Sequence, residues 1–194
     1  MTARTPAEAV QHYVSPLQQV LSCFTRTVLD IRGGYHASPQ PHTLTLGGSG
    51  DAVRLRGPEQ LALSVVQYYR IISDPQDARA WRVSTAGYVY QLLEIVRPPR
   101  VIIGYHWHPV NTLDKPFPHV HLYSAAAPLS GRMHLPCGRI ALEDVLRFAV
   151  YELEIEPLRP DWHEILNRTQ AAFEATRTWG GSLGPPRSQA VASG

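Results

Sequence analysis

The sequence predicts an α+β fold: a mainly antiparallel β-sheet with short N-terminal helices and two C-terminal helices packed on one face. Three observations carry this. Apolar residues recur at helical spacing near both ends of the chain, they alternate with polar ones at period two through the middle, and the strand-like runs follow one another through connections too short for parallel crossovers. With 194 residues, 44% of them hydrophobic, the chain is long enough for one sizeable core. We read a single α+β domain over 1–179. The ending GGSLGPPRSQAVASG, 180–194, has too little apolar content to offset its ordering entropy and is expected to be disordered.

A formal charge of +2 neither demands nor excludes a polyanionic partner, because charge acts as a binding surface only where it clusters. Cys23 and Cys137 are too few for a disulfide framework and lack CxxC spacing, which points to a reduced, cytoplasmic setting. No apolar run approaches the ~20 residues that cross a bilayer, and the start MTARTPAEA has no signal-peptide core, so no membrane association is expected.

Thr5-Pro6-Ala7-Glu8 combines an N-cap, a proline at the first helical position and a capping-box glutamate. Ser15-Pro16-Leu17-Gln18 repeats the signature. Pro16 is therefore expected to break the segment into two short helices, or to begin a second one ending near Phe24 with Leu17, Val20, Leu21 and Phe24 buried. From Thr27 to Arg56 the runs VLDI, TLTL and VRLR read as small strands between Gly- and Pro-rich loops, with His36 and His42 taken as solvated loop histidines. A strand is expected from about Ser64 to Ile72, a turn at Asp74-Pro75-Gln76-Asp77, and another strand from Trp81 to Glu94. Val101 then opens a histidine-bearing strand, which completes an antiparallel meander. Leu142, Val145, Leu146, Ala149 and Leu153 fall at helical spacing, and Trp162, Ile165, Leu166, Thr169 and Phe173 mark a second helix to about Trp179.

The chemistry-bearing stretch is Gly104 to Tyr123, GYHWHPVNTLDKPFPHVHLY, with two His-x-His pairs. Alternate side chains of a strand share a face, so His106 and His108 point one way and Tyr105 and Trp107 the other. The same parity unites His119, His121 and Tyr123 against Val120 and Leu122. Strands at 101–108 and 118–123, paired antiparallel, would bring four imidazoles to one surface.

Three uses of such a surface stand side by side. Neutral imidazoles ligate divalent metals such as zinc, and Asp114 or His134 would add a donor; a metal-dependent hydrolase follows. Without metal, histidines titrating near neutral pH can serve as general acid and base, with RNA as a suitable substrate because its 2′-hydroxyl is an internal nucleophile. Lys115, Arg132 and Arg139 would then meet the phosphate. In the third, the histidines are the polar side of a sheet with an aromatic core, in a non-catalytic module that binds nucleic acid or protein. Cys137 reads as a small packed residue rather than a nucleophile.

PHVHLY resembles the alternating three-histidine motif of HIT-type hydrolases at two of its positions, with Tyr123 at the third. A broader likeness rests on Tyr88-Val89-Tyr90 and Tyr105, then His106-x-His108-Pro109 and Phe117-Pro118-His119-x-His121, followed by a helix. Over roughly Leu63 to Glu154 this pattern resembles the TumE-like toxin family of bacterial toxin-antitoxin systems. The resemblance implies a toxin component with a helix-turn-helix antitoxin as partner and an activity on RNA. His106, His108, His119 and His121 would be its catalytic residues. In that family an Asp-Asn pair precedes the first histidines, whereas here Asn111 and Asp114 follow them, and the region before Leu63 has no counterpart.

Overall fold

Thr5 opens helix α1 (Pro6–Ser22): its hydroxyl accepts a hydrogen bond from Glu8 N–H at 3.2 Å, while the Glu8 carboxylate reaches back to Arg4 N–H at 2.7 Å. The helix runs unbroken through Pro16, in place of the two short helices expected. A proline inside a helix removes one N–H and crowds the carbonyl four residues back. Packing on either side of it offsets that cost, since Val10, Tyr13, Val14 and Leu17 join one apolar cluster and Val20 and Leu21 are buried in another. The computed structural model describes residues 3–48, 51–74, 77–108, 117–123 and 134–176. The predicted tail at 180–194 and most of the loop between the two His-x-His pairs lie outside them.

The alternating middle of the chain forms one antiparallel sheet: β1 (Leu29–Arg32), β2 (His42–Leu46), β3 (Val53–Arg54), β4 (Leu61–Asp74), β5 (Asp77–Glu94), β6 (Arg100–Trp107), β7 (His119–Leu122) and β8 (Leu135–Pro136). Its order is β1-β2-β4-β5-β6-β7-β8. β2 and β3 occupy successive stretches of the same edge of the long β4. The meander is thus as expected, with β4 and β5 longer than the sequence pattern indicated.

Period two sorts the side chains into two faces. Leu61, Leu63 and Val65 of β4, Tyr88, Tyr90 and Leu92 of β5, and Ile103, Tyr105 and Trp107 of β6 form the main core with residues of α1, α2 (Leu142–Leu153) and α3 (Trp162–Thr176). Val145, Leu146 and Ala149 give α2 its buried stripe. Arg147 ties α2 to α3 by donating to Asn167 Oδ1 at 2.7 Å and to the Gln170 side chain. Tyr13 and Tyr90, deep between helix and sheet, satisfy their hydroxyls on the two ends of the Gln67 amide. No helix among the described residues is long and apolar enough to cross a membrane.

His42 is not the solvated loop residue expected. It begins β2 on the helix-covered face, 2% exposed, stacks on Tyr69, and places Nε2 2.8 Å from the His36 carbonyl. Gly33, at φ +106°, makes room: a Cβ there would lie 2.4 Å from His42 Nδ1. His36 itself is exposed.

Leu146 is fully buried between α2 and the sheet. Leu146→Ala should cost about 2–5 kcal/mol, read as a lower denaturant midpoint with little change in slope.

Candidate metal centre

The register between β6 and β7 sets His106 opposite His119 and Gly104 opposite His121. The histidines fall on the face away from the helices, because Tyr105 pairs with Val120 on the core side. His106, His119 and His121 each present a ring nitrogen, and the three lie within 4.8 Å of one another.

Direct pairing would bring His106 nearest to His119, yet its ring is 5.8 Å from that of His119 and 4.5 Å from that of His121. Gly104 explains the lean. A Cβ there would stand 2.9 Å from His106 Nε2 and 3.7 Å from Gln91 Cγ, so the missing side chain leaves the slot into which the His106 ring folds. Glycine is otherwise a poor strand residue, and one that admits a close approach is the usual reason for its presence there.

The second histidine is oriented by its own chain. His119 Nδ1 lies 2.9 Å from the Phe117 carbonyl. A neutral ring donating Nδ1–H to that oxygen carries its lone pair on Nε2, the orientation a metal-ligating histidine requires. His106 Nε2 is buried and has no hydrogen-bond partner among the described residues. Such an orphan is costly unless something fills it.

A tetrahedral ion with ~2.0–2.1 Å bonds would need its nitrogens about 3.4 Å apart, so separations of up to 4.8 Å would have to close by at most about 1.4 Å for the three rings to hold it. The donor set fits a borderline-soft transition ion. Burial, then the neighbouring His121, His108, His119 and His134, holds the His106 imidazolium down to a pKa of about 3. It is therefore a neutral ligand at physiological pH and no store of protons.

His134 extends the cluster from beside β8, its ring 4.3 Å from that of His121 and 4.7 Å from that of His119. β8 is fixed there by Val120–Leu135 and His119–Pro136 pairing and by Cys137 N–H donating to the Pro118 carbonyl at 2.9 Å. Tyr123 stacks on His121. His108 stands apart, 5.7 Å from His106 on one side and 6.5 Å from Tyr68 on the other, with its pKa lowered by burial and by His119. The structure thus gathers three of the four predicted histidines into one donor set and adds His134 at its edge.

Of the three predicted cations, Arg139 is the one among the described residues, and it is not gathered with them. Arg139 lies over the Trp107 ring, 3.6 Å from its centroid, and Trp107 packs in the core on the opposite face from His106. Lys115, Arg132 and Asp114 lie outside the described residues. Cys137 is half-buried, and burial raises its thiol pKa, against nucleophilic use. The signal in the sequence for this lean is Gly104, since a glycine two residues before a strand histidine leaves that histidine room.

Two outcomes check this geometry. Gly104→Ala should displace the His106 ring and weaken zinc binding about tenfold or more while the circular dichroism spectrum stays native. In metal-stripped protein, neutral His106 is proton-poor relative to the unfolded chain between about pH 3 and 6.5. Its contribution to stability is therefore fully present above 6.5 and lost as pH falls through that window. The denaturant midpoint of His106→Gln should fall less steeply on acidification than that of the wild type.

No protein-family model, curated protein or solved structure matches the chain.

Proposed function

We propose that the chain is a metal-dependent hydrolase whose divalent transition ion, zinc in the first instance, is held by His106, His119 and His121. The observation that carries this reading is the mutual approach of their three ring nitrogens on one sheet face. Three neutral protein ligands leave a coordination position for water and no ligand charge to cancel the ion's own. Such an ion lowers the pKa of bound water towards neutrality and polarises a substrate oxygen. The protein's part is to aim the rings: Phe117 sets the His119 tautomer, and Gly104 admits His106.

Metal-free acid/base catalysis is less well supported. His106, held neutral to about pH 3, cannot donate a proton near neutral pH. A second reading, a toxin component acting on RNA in the cytoplasm and silenced by a helix-turn-helix antitoxin, draws on the same residues. Three of the four histidines in the two His-x-His pairs that carry the TumE-like resemblance, His106, His119 and His121, make up this cluster. In that reading a bound ion would supply the activation of water, or of the 2′-hydroxyl, against a phosphodiester, and His106, His119 and His121 would hold it.

Metal analysis of the purified chain should find about one zinc-class ion per molecule. His119→Ala and His121→Ala should each lose it while keeping the native circular dichroism spectrum. Hydrolysis of an activated phosphodiester should fall by at least about a hundredfold in both variants and on chelation, and return with added zinc. Full activity in both folded variants, or no retained metal in the wild type, sinks the metal reading. Growth arrest on expression, relieved by the same substitutions, would select the toxin form of it.

A further inference from the structure

Beyond the histidines, the same sheet face carries two arginines for which the fold itself supplies no use. β4 keeps its parity along its length, so Val66, Tyr68, Arg70 and Ile72 all project on the helix-free side. The register pairs Arg70 with Ser84 and Ile72 with Arg82. That makes Arg70 and Arg82 diagonal neighbours, about 7–8 Å apart at Cβ or closer. Both Nε atoms are buried without a hydrogen-bond partner, and neither arginine enters an ion pair among the described residues. The nearest carboxylate in register on this face is Asp74, two residues past Ile72.

The pair lines up with the metal centre. The row Val66, Val89, His106, His119 is followed along β4 by Tyr68, whose ring lies 6.5 Å from that of His108, and then by Arg70. Arg70 lies four residues from Val66, about 13 Å at the rise of a strand. One guanidinium fork satisfies a carboxylate. Two neighbouring arginines, each with a buried and unmet Nε–H, suit a phosphate-class anion, which offers more acceptor oxygens and more charge.

We propose that Arg70 and Arg82 form an anion site that holds a phosphate group of the ligand while another part of that ligand lies across Tyr68 and His108 towards the histidine centre. The proposal rests on the hydrolase reading for what happens at the histidines, but not for the anion site itself. The phosphate can be a terminal group or an internal diester, and the test separates these sources.

The zinc-loaded full chain would be titrated calorimetrically with inorganic pyrophosphate and, separately, with a short single-stranded oligonucleotide lacking terminal phosphate. At least one probe should bind, and Arg70→Gln and Arg82→Gln should each weaken it about tenfold or more, with zinc content and thermal midpoint unchanged. Pyrophosphate binding alone assigns a terminal phosphate; oligonucleotide binding assigns an internal diester. Arg70→Lys and Arg82→Lys keep the charge but lose the fork, and their smaller loss of affinity decides the matter where a Gln variant does not fold. Wild-type affinity in the variants, or no binding of either probe by the wild type, overturns the anion site. His119→Ala separates the two readings: Arg-dependent binding that survives loss of the metal upholds the anion site, and a retained metal with Arg-independent binding upholds only the centre.

Discussion

The antiparallel register of β6 against β7 is the constraint on which the rest of the structure depends. With His106 opposite His119 and Tyr105 opposite Val120, one strand pair feeds imidazoles to one side and core residues to the other. A slip of one residue would exchange the faces, burying histidine among the helices and exposing tyrosine and tryptophan. The register is held from the core side. Tyr88 pairs with Trp107, Tyr90 with Tyr105, and Leu92 with Ile103, and all six side chains are buried. The histidine cluster therefore inherits its precision from apolar packing it does not touch.

That support bears an electrostatic load. Three imidazoles drawn together and partly removed from water disfavour protonation of any one of them, and His106 shows the result. The strain is tolerated because the opposite face is so well packed, with Leu63, Val65, Leu92, Val145 and Leu146 all at or near zero exposure. In the core, Tyr13 and Tyr90 share the Gln67 amide, and Tyr88 accepts from Ile140 N–H. Among the described residues the hydroxyls of Thr45 and Tyr69 are buried without partners, and so are three side-chain nitrogens, those of His106, Arg70 and Arg82, all of them on the helix-free side.

Most of the architecture was legible in the sequence because period two and period 3.6 are direct consequences of backbone geometry. The α2 stripe, the run of neighbouring strands and the common face of the histidines all follow from it. What escaped were effects of tertiary packing. Pro16 carries a local signal to stop a helix, but the packing of Val10 and Val14 before it and of Leu17, Val20 and Leu21 after it outweighs that signal. His42 reads as a loop residue until Gly33 is seen to make space for its ring against Tyr69. Which histidines converge was likewise beyond spacing alone, since it turns on a side chain that is absent: Gly104 lets His106 cross the diagonal to His121 and leaves His108 to face Tyr68.

The chemistry of the donor set bears on what such a face can attract. A divalent ion held by carboxylates has much of its charge cancelled by its ligands, whereas one held by three neutral imidazoles keeps it. Among the described residues the cluster contains no carboxylate. An ion there would present nearly its full charge in a half-buried setting, where fields are less screened than in water. Arg70 and Arg82 lie on the same face, and among the described residues no acid is paired to either. Both features bias this side of the sheet towards anions, and they do so from separate strands: β6 and β7 supply the histidines, β4 and β5 the arginines. A ligand that spanned them would have to be anionic at one end and carry a bond open to attack at the other, and its ends would be offset by about 13 Å along the strands, the rise from Val66 to Arg70, and by a further two to three strand spacings of about 4.8 Å across the sheet from β4 to β6 and β7.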